Sequence, residues 1–275
     1  MANPHAAQAA SFLALQCPQQ TPLVAHYLLG GLLGGQQVWL KKAGQRHGIW
    51  GYRVLALIAW LARMPALKPV PNLGGQAAIA TEVQRLQTLT AAGVRVPQVL
   101  ASSADGFLMS HLGVAGQHTP SLAEEIDQAA QAAQADRCLA LWQEGLDFLA
   151  SVHARSQCLS QAFARNMVLC ADGGIGLIDF EDDPAAHLPL PLCQVRDVLC
   201  YVHSTAWILA RVQALPQAQA AWQQALAQWS PPLQQALAAT QQRLGLLGKL
   251  PRSRRLGRDA LRLRMAWALL AGNNV

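Results

Sequence analysis

Four polar side chains in this 275-residue chain are of the types that bind phosphate groups and divalent cations. Lys41 lies in an apolar run, VWLKK, and Glu82 lies within a helical pattern. Asn166 precedes a second apolar run, and Asp179 begins the segment 179–183, which holds four carboxylates. An ammonium group neutralises phosphate charge, whereas amide and carboxylate oxygens bind hard cations such as Mg²⁺. Because clustered carboxylates repel one another, the segment favours either a bound cation or a solvated turn.

The order and spacing of these residues resemble those of the protein-kinase-like superfamily, in the branch of lipopolysaccharide and aminoglycoside kinases. Asn166 in RNMVL is followed 13 residues later by Asp179 in IDFE, across a hairpin signal at 172–174. The resemblance implies ATP and Mg²⁺ as cofactors. Lys41 would bind the α- and β-phosphates with Glu82 as its partner, and Asn166 and Asp179 would hold the metal. The implied activity is phosphoryl transfer to an alcohol group.

The same resemblance assigns five further positions to the nucleotide and the metal. Glu181 is an additional candidate metal ligand, because Phe180 points the other way in an extended segment. Met109 and Ser110 lie where the hinge beside the adenine is expected. Gly34 and Gly35 lie in LLGGLLGGQQ, a turn that lacks the G-x-G-x-x-G spacing. Its backbone N–H groups are nevertheless predicted to cover the phosphates.

One position departs from the family in a way that bears directly on catalysis. Gln161 occupies the place of the catalytic aspartate, five residues before Asn166. Glutamine cannot accept a proton at neutral pH, so the general base is absent. Since phosphoryl transfer depends mainly on positioning and charge neutralisation, both an active enzyme and a pseudokinase remain open. Arg165 either supplies charge to the transferred phosphate or pairs with the acidic run 181–183, and Asp197 is interpreted as a structural brace for this loop.

The pattern of hydrophobic residues predicts an α+β fold of two kinase-like lobes. A β-rich N-lobe spans 1–110, and a mostly helical C-lobe spans 111–275. The N-lobe holds a hairpin around Lys41 and a helix at 74–93, where apolar residues recur at spacings of three and four. Short strands are predicted in 94–103, 106–113 and on both sides of the turn at 172–174, and helices at 139–154, 194–213, 217–229, 232–247 and 253–272.

An apolar segment at 48–67 separates the lysine strand from the Glu82 helix. It holds Trp50, Tyr52 and Trp60 between basic flanks, a composition that suits a bilayer interface. The alternative is a helix packed on the small lobe or in a dimer interface. The segment is too short and too interrupted to cross a membrane, and no other stretch qualifies.

The charge distribution and the cysteine content indicate which partners and which cellular compartment to expect. Residues 1–110, 111–200 and 201–275 carry net charges of +6, −8 and +8, which favours an anionic partner at the ends and a cation in the middle. An anionic membrane surface fits the apolar segment and the basic C-terminus, whereas no motif supports nucleic acid. Six scattered cysteines are predicted to be free thiols. The expected location is cytoplasmic, with peripheral attachment to the inner membrane if the segment binds lipid.

Overall fold

The structure of the chain is a computed structural model. The predicted α+β class is confirmed, with a small antiparallel sheet and a larger helical region. The chain divides into two units, which we name the β-rich unit and the helical unit. The β-rich unit comprises Met1–Arg53, Val70–Thr119 and Val168–Asp183, and the helical unit comprises Val54–Pro69, Pro120–Met167 and Pro184–Val275. The structure describes residues 4–18, 23–29, 36–45, 66, 68, 70, 72, 74–159, 161–245 and 257–271.

Four antiparallel strands form the main sheet of the β-rich unit, in the order β1-β2-β4-β3. Lys41 lies near the end of β2, and the link between β1 and β2 that contains Gly34 and Gly35 lies outside the described residues. A second, two-stranded sheet pairs β5 with β6. The strands are β1 (Val24–Leu29), β2 (Gln36–Lys42), β3 (Val99–Ser102), β4 (Gly106–Ser110), β5 (Met167–Leu169) and β6 (Ile175–Leu177).

Alternation along β2 separates the core of the β-rich unit from its charged face. Val38 and Leu40 are fully buried and cluster with Leu108 of β4 and with two residues of helix α1 (Pro4–Gln16). Lys41 alternates with these residues and therefore points to the opposite face of the sheet. Helix α1 was not predicted, because its sequence, which is rich in alanine and glutamine, shows little contrast between apolar and polar faces.

Helix α2 (Gly75–Ala91) confirms the helix predicted at 74–93. Gly74 precedes it with a φ of 65°, in the left-handed region that favours glycine. At the other end, Val94 N donates to Leu89 O at 2.9 Å and Gly93 has a φ of 72°, which closes the helix. The buried residues of α2 include Glu82 as well as apolar side chains, so one face of this helix carries a charge into the interior.

The acidic segment belongs to the β-rich unit, although it follows the predicted boundary at 110/111. Ala171 N donates to Leu112 O at 3.1 Å, and Leu177 N donates to Arg95 O at 3.0 Å. These backbone bonds fasten the β5–β6 hairpin to the end of the sheet. The sequence alone placed residues 168–183 with the helical half because they lie far from the other strands along the chain.

Helices make up most of the helical unit, and five of them were predicted within a few residues. The sixth, α3, was not among the predicted helices. Its start is marked by a capping box, in which Ser121 and Glu124 cap each other's backbone N–H groups. The helices are α3 (Leu122–Gln131), α4 (Ala135–Ala154), α5 (Leu190–Arg211), α6 (Leu215–Gln228), α7 (Pro231–Leu244) and α8 (Gly257–Ala271).

Close packing between α3, α4 and α5 holds the core of the helical unit. The buried Tyr201 hydroxyl donates to Trp142 O at 2.6 Å, and Trp142 Nε1 donates to Thr205 Oγ1 at 3.1 Å. A Cβ atom on Gly145 would lie 2.3 Å from Tyr201 Oη and 2.5 Å from Leu122 Cδ2. Only glycine therefore allows these helices to approach so closely.

The apolar segment predicted at 48–67 lies almost entirely outside the described residues. Its end is described at Ala66 and Lys68, whose carbonyl oxygens accept bonds of 2.9 and 2.7 Å from Arg196 Nη1 on α5. This end therefore belongs to the helical unit, whereas we expected it to extend from the small lobe. Within the described part of the chain, no helix has an apolar stretch long enough to cross a membrane. All six cysteines are free, as predicted.

Candidate functional site

Lys41 lies at the centre of a cluster of carboxylates in the β-rich unit. Its Nζ atom is 2.7 Å from Glu82 Oε2, 3.0 Å from Glu181 Oε1 and 3.4 Å from Asp179 Oδ1. The side chain of Glu82 is only 2% exposed, whereas those of Asp179 and Glu181 are 38% and 39% exposed. We refer to these four residues as the lysine cluster. It combines one buried carboxylate with two carboxylates that solvent can reach.

Three separate elements bring the lysine cluster together. Lys41 comes from β2 and Glu82 from the buried face of α2, and the IDFE segment follows β6. Phe180 is buried, and its backbone N–H donates to Glu82 Oε1 at 3.4 Å. Because Phe180 turns into the interior, its two acidic neighbours both reach Lys41, as the alternation in the sequence indicated. The pairing of Lys41 with Glu82 that the resemblance implied is therefore present in the structure.

Asp179 adopts a backbone conformation that is uncommon for a residue with a side chain. Its φ is 73°, in the left-handed region. Such a conformation costs roughly 1–2 kcal/mol for most residues and less for aspartate, whose short side chain tolerates it. Strained residues of this kind concentrate at functional sites, where the surrounding contacts hold them in place. Here the contact is the ion pair between Asp179 and Lys41.

Burial and charge act on the two ends of the Lys41–Glu82 pair in different ways. Burial alone would lower the pKa of Lys41, but the carboxylates of Glu82, Asp179 and Glu181 outweigh it and raise that pKa. Burial raises the pKa of Glu82, and the attraction of Lys41 offsets only part of this effect. Three carboxylates share one ammonium group, which favours the charged form of Lys41. For Glu82, burial disfavours the charged form more than Lys41 favours it.

The rest of the acidic segment is also paired within the β-rich unit. Arg85 Nη1 lies 3.7 Å from Asp183 Oδ1, and Asn72 Nδ2 donates to Glu181 Oε2 at 3.0 Å. Among the described residues, no group of three or more His, Cys, Asp or Glu side chains is arranged to hold a metal ion by itself. Lys41 and Arg85 thus contact three of the four carboxylates of this segment. A metal at Asp179 and Glu181 would need further ligands, such as phosphate oxygens.

Asn72 is a residue of this site that the sequence analysis missed. Its Oδ1 accepts a bond of 2.9 Å from Gly74 N, and its Nδ2 reaches Glu181. It thus ties the start of α2 to the acidic segment. The available signal was the position of Asn72 two residues before a glycine at a helix start, where asparagine often bonds to the backbone.

Met109 and Ser110, the two residues expected beside the adenine, lie at the end of β4. Met109 is the cross-strand partner of Trp39, two residues along β4 from the partner of Lys41, so it shares the sheet face of Lys41. Ser110 N donates to Gln98 O at 2.9 Å, and Ser110 Oγ accepts from Gln98 N at the same distance. The backbone N–H group of Ser110 and its hydroxyl oxygen thus both bond to the residue that precedes β3.

The loop that holds Gln161 belongs to the helical unit, where Asp197 braces it. Asp197 is fully buried, and its Oδ2 accepts from Leu159 N at 2.7 Å and lies 3.2 Å from His153 Nε2. Gln194 Nε2 donates to the carbonyl oxygen of His153 at 3.3 Å. These contacts bear out the interpretation of Asp197 as structural. They fix the backbone two residues before Gln161.

Asn166 is positioned by the backbone of the residue that replaces the catalytic aspartate. Asn166 Nδ2 donates to Gln161 O at 3.0 Å, and Phe163 N donates to the same oxygen at 2.7 Å. Asn166 lies in a 3₁₀ turn, Ala164–Asn166, before β5. Arg165 also belongs to the helical unit, and its guanidinium lies over the ring of Phe163, 4.3 Å from its centroid.

Models of known protein families and curated protein sequences contain no match to this chain. The functional interpretation therefore depends on the chemistry of the residues described above. The lysine cluster combines a held ammonium group with accessible carboxylates. That combination suits a ligand with several negative charges and its counter-cation.

Proposed function

We propose that the chain is a kinase-like phosphotransferase that uses ATP and Mg²⁺ to phosphorylate a hydroxyl group of a small molecule, such as a lipid-linked sugar. The two units would then correspond to the small and large lobes of that fold. The observation that carries the proposal is the buried Glu82 carboxylate 2.7 Å from Lys41 Nζ, beside two accessible carboxylates. This arrangement fixes an ammonium group where phosphates can meet it.

The residues of the lysine cluster fit both a nucleotide and Mg²⁺. Lys41 has three N–H donors, so it can keep Glu82 and still donate to phosphate oxygens. Asp179 and Glu181 are more than a third exposed and need only exchange Lys41 for a cation. Mg²⁺ is commonly held by one or two carboxylates together with substrate phosphates and water. When bound, the metal would neutralise charge on the phosphates.

In the helical unit, the resemblance assigns Asn166 to the metal. The Nδ2 atom of Asn166 donates to Gln161 O. This bond fixes the orientation of the side-chain amide and leaves its Oδ1 atom outside the bond. An oriented amide oxygen suits the second metal contact that the resemblance implies. The Asp197 brace would keep this loop in place during the reaction.

Gln161 favours a second candidate function, a pseudokinase that binds nucleotide or a partner without catalysis. The side chain at this position cannot take the proton of an acceptor hydroxyl at neutral pH. In the enzyme hypothesis the hydroxyl proton would pass to an oxygen of the transferred phosphoryl group or to water, so transfer would be slow. Gln161→Asp distinguishes the two, because it should raise the transfer rate of an enzyme and give a pseudokinase no activity.

Calorimetric titration with ATP, with and without Mg²⁺, tests nucleotide binding. We expect Lys41→Met to abolish measurable ATP binding, and Asp179→Asn to remove the effect of Mg²⁺ on affinity. Lys42→Met is the matched control, because it removes the same charge from the opposite face of β2 and should leave ATP affinity within about twofold. Equal losses in the two lysine variants would contradict the site, and an unchanged Mg²⁺ response in Asp179→Asn would contradict the metal assignment.

Membrane attachment is a separate part of the proposal. The segment 48–67 and the basic C-terminus would place a cytoplasmic protein at the inner membrane, near a lipid-linked acceptor. Each basic residue close to an anionic leaflet contributes about 1 kcal/mol. Flotation with anionic liposomes tests this, with a deletion of 48–67 as the variant and neutral liposomes as the control. If the deletion variant floats as well as the full chain, the segment has a packing role and the lipid-linked acceptor loses its support.

A further inference from the structure

A pocket in the helical unit is lined by positive and aromatic side chains, none of which belongs to the lysine cluster. Its volume is about 680 Å³, within the range of small-molecule sites. It lies among the start of α3, the loop before Asn166, the last turns of α5, and α8. Its basic residues are Arg165, Arg211 and Arg262, and its larger apolar residues are Phe163, Trp207 and Ile208.

The two carboxylates that line this pocket are already engaged by the protein. Asp127 Oδ1 accepts from Arg211 Nη1 at 2.7 Å, and its Oδ2 accepts from Gln131 Nε2 at 2.6 Å. Glu124 Oε2 accepts from Ser121 N at 2.6 Å, as part of the capping box of α3. The lining thus holds three guanidinium groups and two carboxylates, one of which is already paired with Arg211. The pocket keeps an excess of positive charge.

Two of the arginines retain donors for a ligand. Arg165 is exposed and lies over the Phe163 ring, a contact that uses the face of the guanidinium and leaves the N–H groups at its edge. Arg211 bonds to Asp127 through Nη1 alone among the described residues. Since each guanidinium carries five N–H donors, both can bind an anion without giving up these contacts.

We propose that this pocket binds a phosphate monoester whose organic part is a ring or another apolar group. The three arginines come from three different elements, and a tetrahedral dianion offers oxygens in more directions than the flat pair of a carboxylate. Trp207, Phe163 and Ile208 supply the apolar wall for the rest of the ligand. This inference stands on the helical unit alone and does not depend on the proposed phosphotransfer.

If the proposed function also holds, the position of the pocket suits a site for the acceptor molecule. Phe163 and Arg165 precede Asn166 by three and one residues, so the ligand would lie beside the loop that the resemblance assigns to the metal. The acceptor class would then be a phosphorylated molecule with a free hydroxyl group. Lys41→Met separates the two proposals, because it should remove ATP binding and leave the pocket's ligand bound.

Titration of the full chain with phenyl phosphate tests the pocket. We expect binding that weakens about tenfold or more in Arg165→Ala and in Arg211→Ala, the equivalent of about 1.4 kcal/mol for each charge-assisted contact. Arg137→Ala is the matched control, since Arg137 is an exposed arginine of α4 outside the pocket. Its affinity should stay within about twofold of the wild type.

Ligand comparisons separate the contributions of charge and ring. Benzyl alcohol should not bind, and benzoate should bind more weakly than phenyl phosphate. Trp207→Ala should weaken phenyl phosphate and leave inorganic phosphate unchanged. Equal losses in Arg165→Ala and Arg137→Ala would show nonspecific attraction and overturn the proposal. So would binding of benzyl alcohol, or benzoate that binds as tightly as phenyl phosphate.

Discussion

The two units each hold a buried carboxylate beside a nitrogen base. The two clusters differ in whether accessible charged groups remain for a ligand. In the helical unit, Asp197 is fully buried and bonds to Leu159 N and His153 Nε2 inside the same unit. In the β-rich unit, Glu82 is equally buried, but its partner Lys41 also holds two carboxylates that are more than a third exposed.

This difference separates a structural cluster from a binding site. A buried polar group whose partners all belong to the protein stabilises one conformation and offers nothing to a ligand. A lysine that is shared among several carboxylates, two of them accessible, can exchange partners when a more highly charged ligand arrives. We therefore expect mutations of the Asp197 cluster to change stability, and those of the lysine cluster to change binding first.

The largest loss of stability should follow Asp197→Ala. This change leaves the Leu159 N–H group and His153 without their acceptor inside the core, at a cost of about 3–5 kcal/mol in the free energy of unfolding. Urea denaturation measures this loss, and Asp197→Asn, which keeps an acceptor oxygen, should lose less. If Asp197→Ala costs under about 1 kcal/mol, the cluster does not brace the loop.

Gly145→Ala tests whether the helical unit is closely packed as well as internally bonded. The added methyl group would meet Tyr201 Oη at 2.3 Å, so the helices must shift, at a cost of about 1–3 kcal/mol. Gly245→Ala is the control, because nothing lies within 4 Å of its added Cβ. Thermal melts of the two variants should differ clearly, and similar melting temperatures would contradict the packing described.

Lys41→Met should lower stability less than these changes while removing nucleotide binding. It leaves the buried Glu82 without its closest cation, at a cost of about 1–2 kcal/mol, which is limited because Glu82 can take up a proton. Lys41→Met/Glu82→Gln should recover most of the stability and none of the nucleotide binding. Recovery of both in the double variant would show that the pair has no binding role.

The smallest effect is a dependence of stability on pH that comes from Glu82. Burial raises the pKa of Glu82 in the folded protein above the ordinary 4.5. Between 4.5 and this raised pKa, the folded protein holds a proton that the unfolded chain has released. The free energy of unfolding of the wild type should therefore fall, relative to Glu82→Gln, as the pH rises through this window. Urea denaturation at several pH values above 4.5 measures this change, and a wild type that gains stability relative to Glu82→Gln as the pH rises would contradict the assignment.

Much of the fold follows from local patterns in the sequence. Spacings of three and four predicted α2, and the Asp172-Gly173-Gly174 turn predicted the β5–β6 hairpin. Alternation in VWLKK separated Lys41 from Lys42, which lies on the same face of β2 as the core residue Leu40. These patterns are readable because each depends on neighbours a few residues apart. Helices α1 and α3 were missed, since one lacks a clear apolar face and the other depended on the capping box at Ser121.

For the site, the sequence determined which residue types were available, and the tertiary structure decided which of them meet. Lys41, Glu82 and Asp179 were singled out as charged groups in a particular order, and Asn72 was not. Their contacts join residues 41 to 138 positions apart in the chain. Burial of Glu82, the left-handed turn at Asp179 and the pocket around Arg165 arise only when separate elements pack together. Long-range contacts of this kind have no periodic signature, because they depend on how whole helices and strands pack.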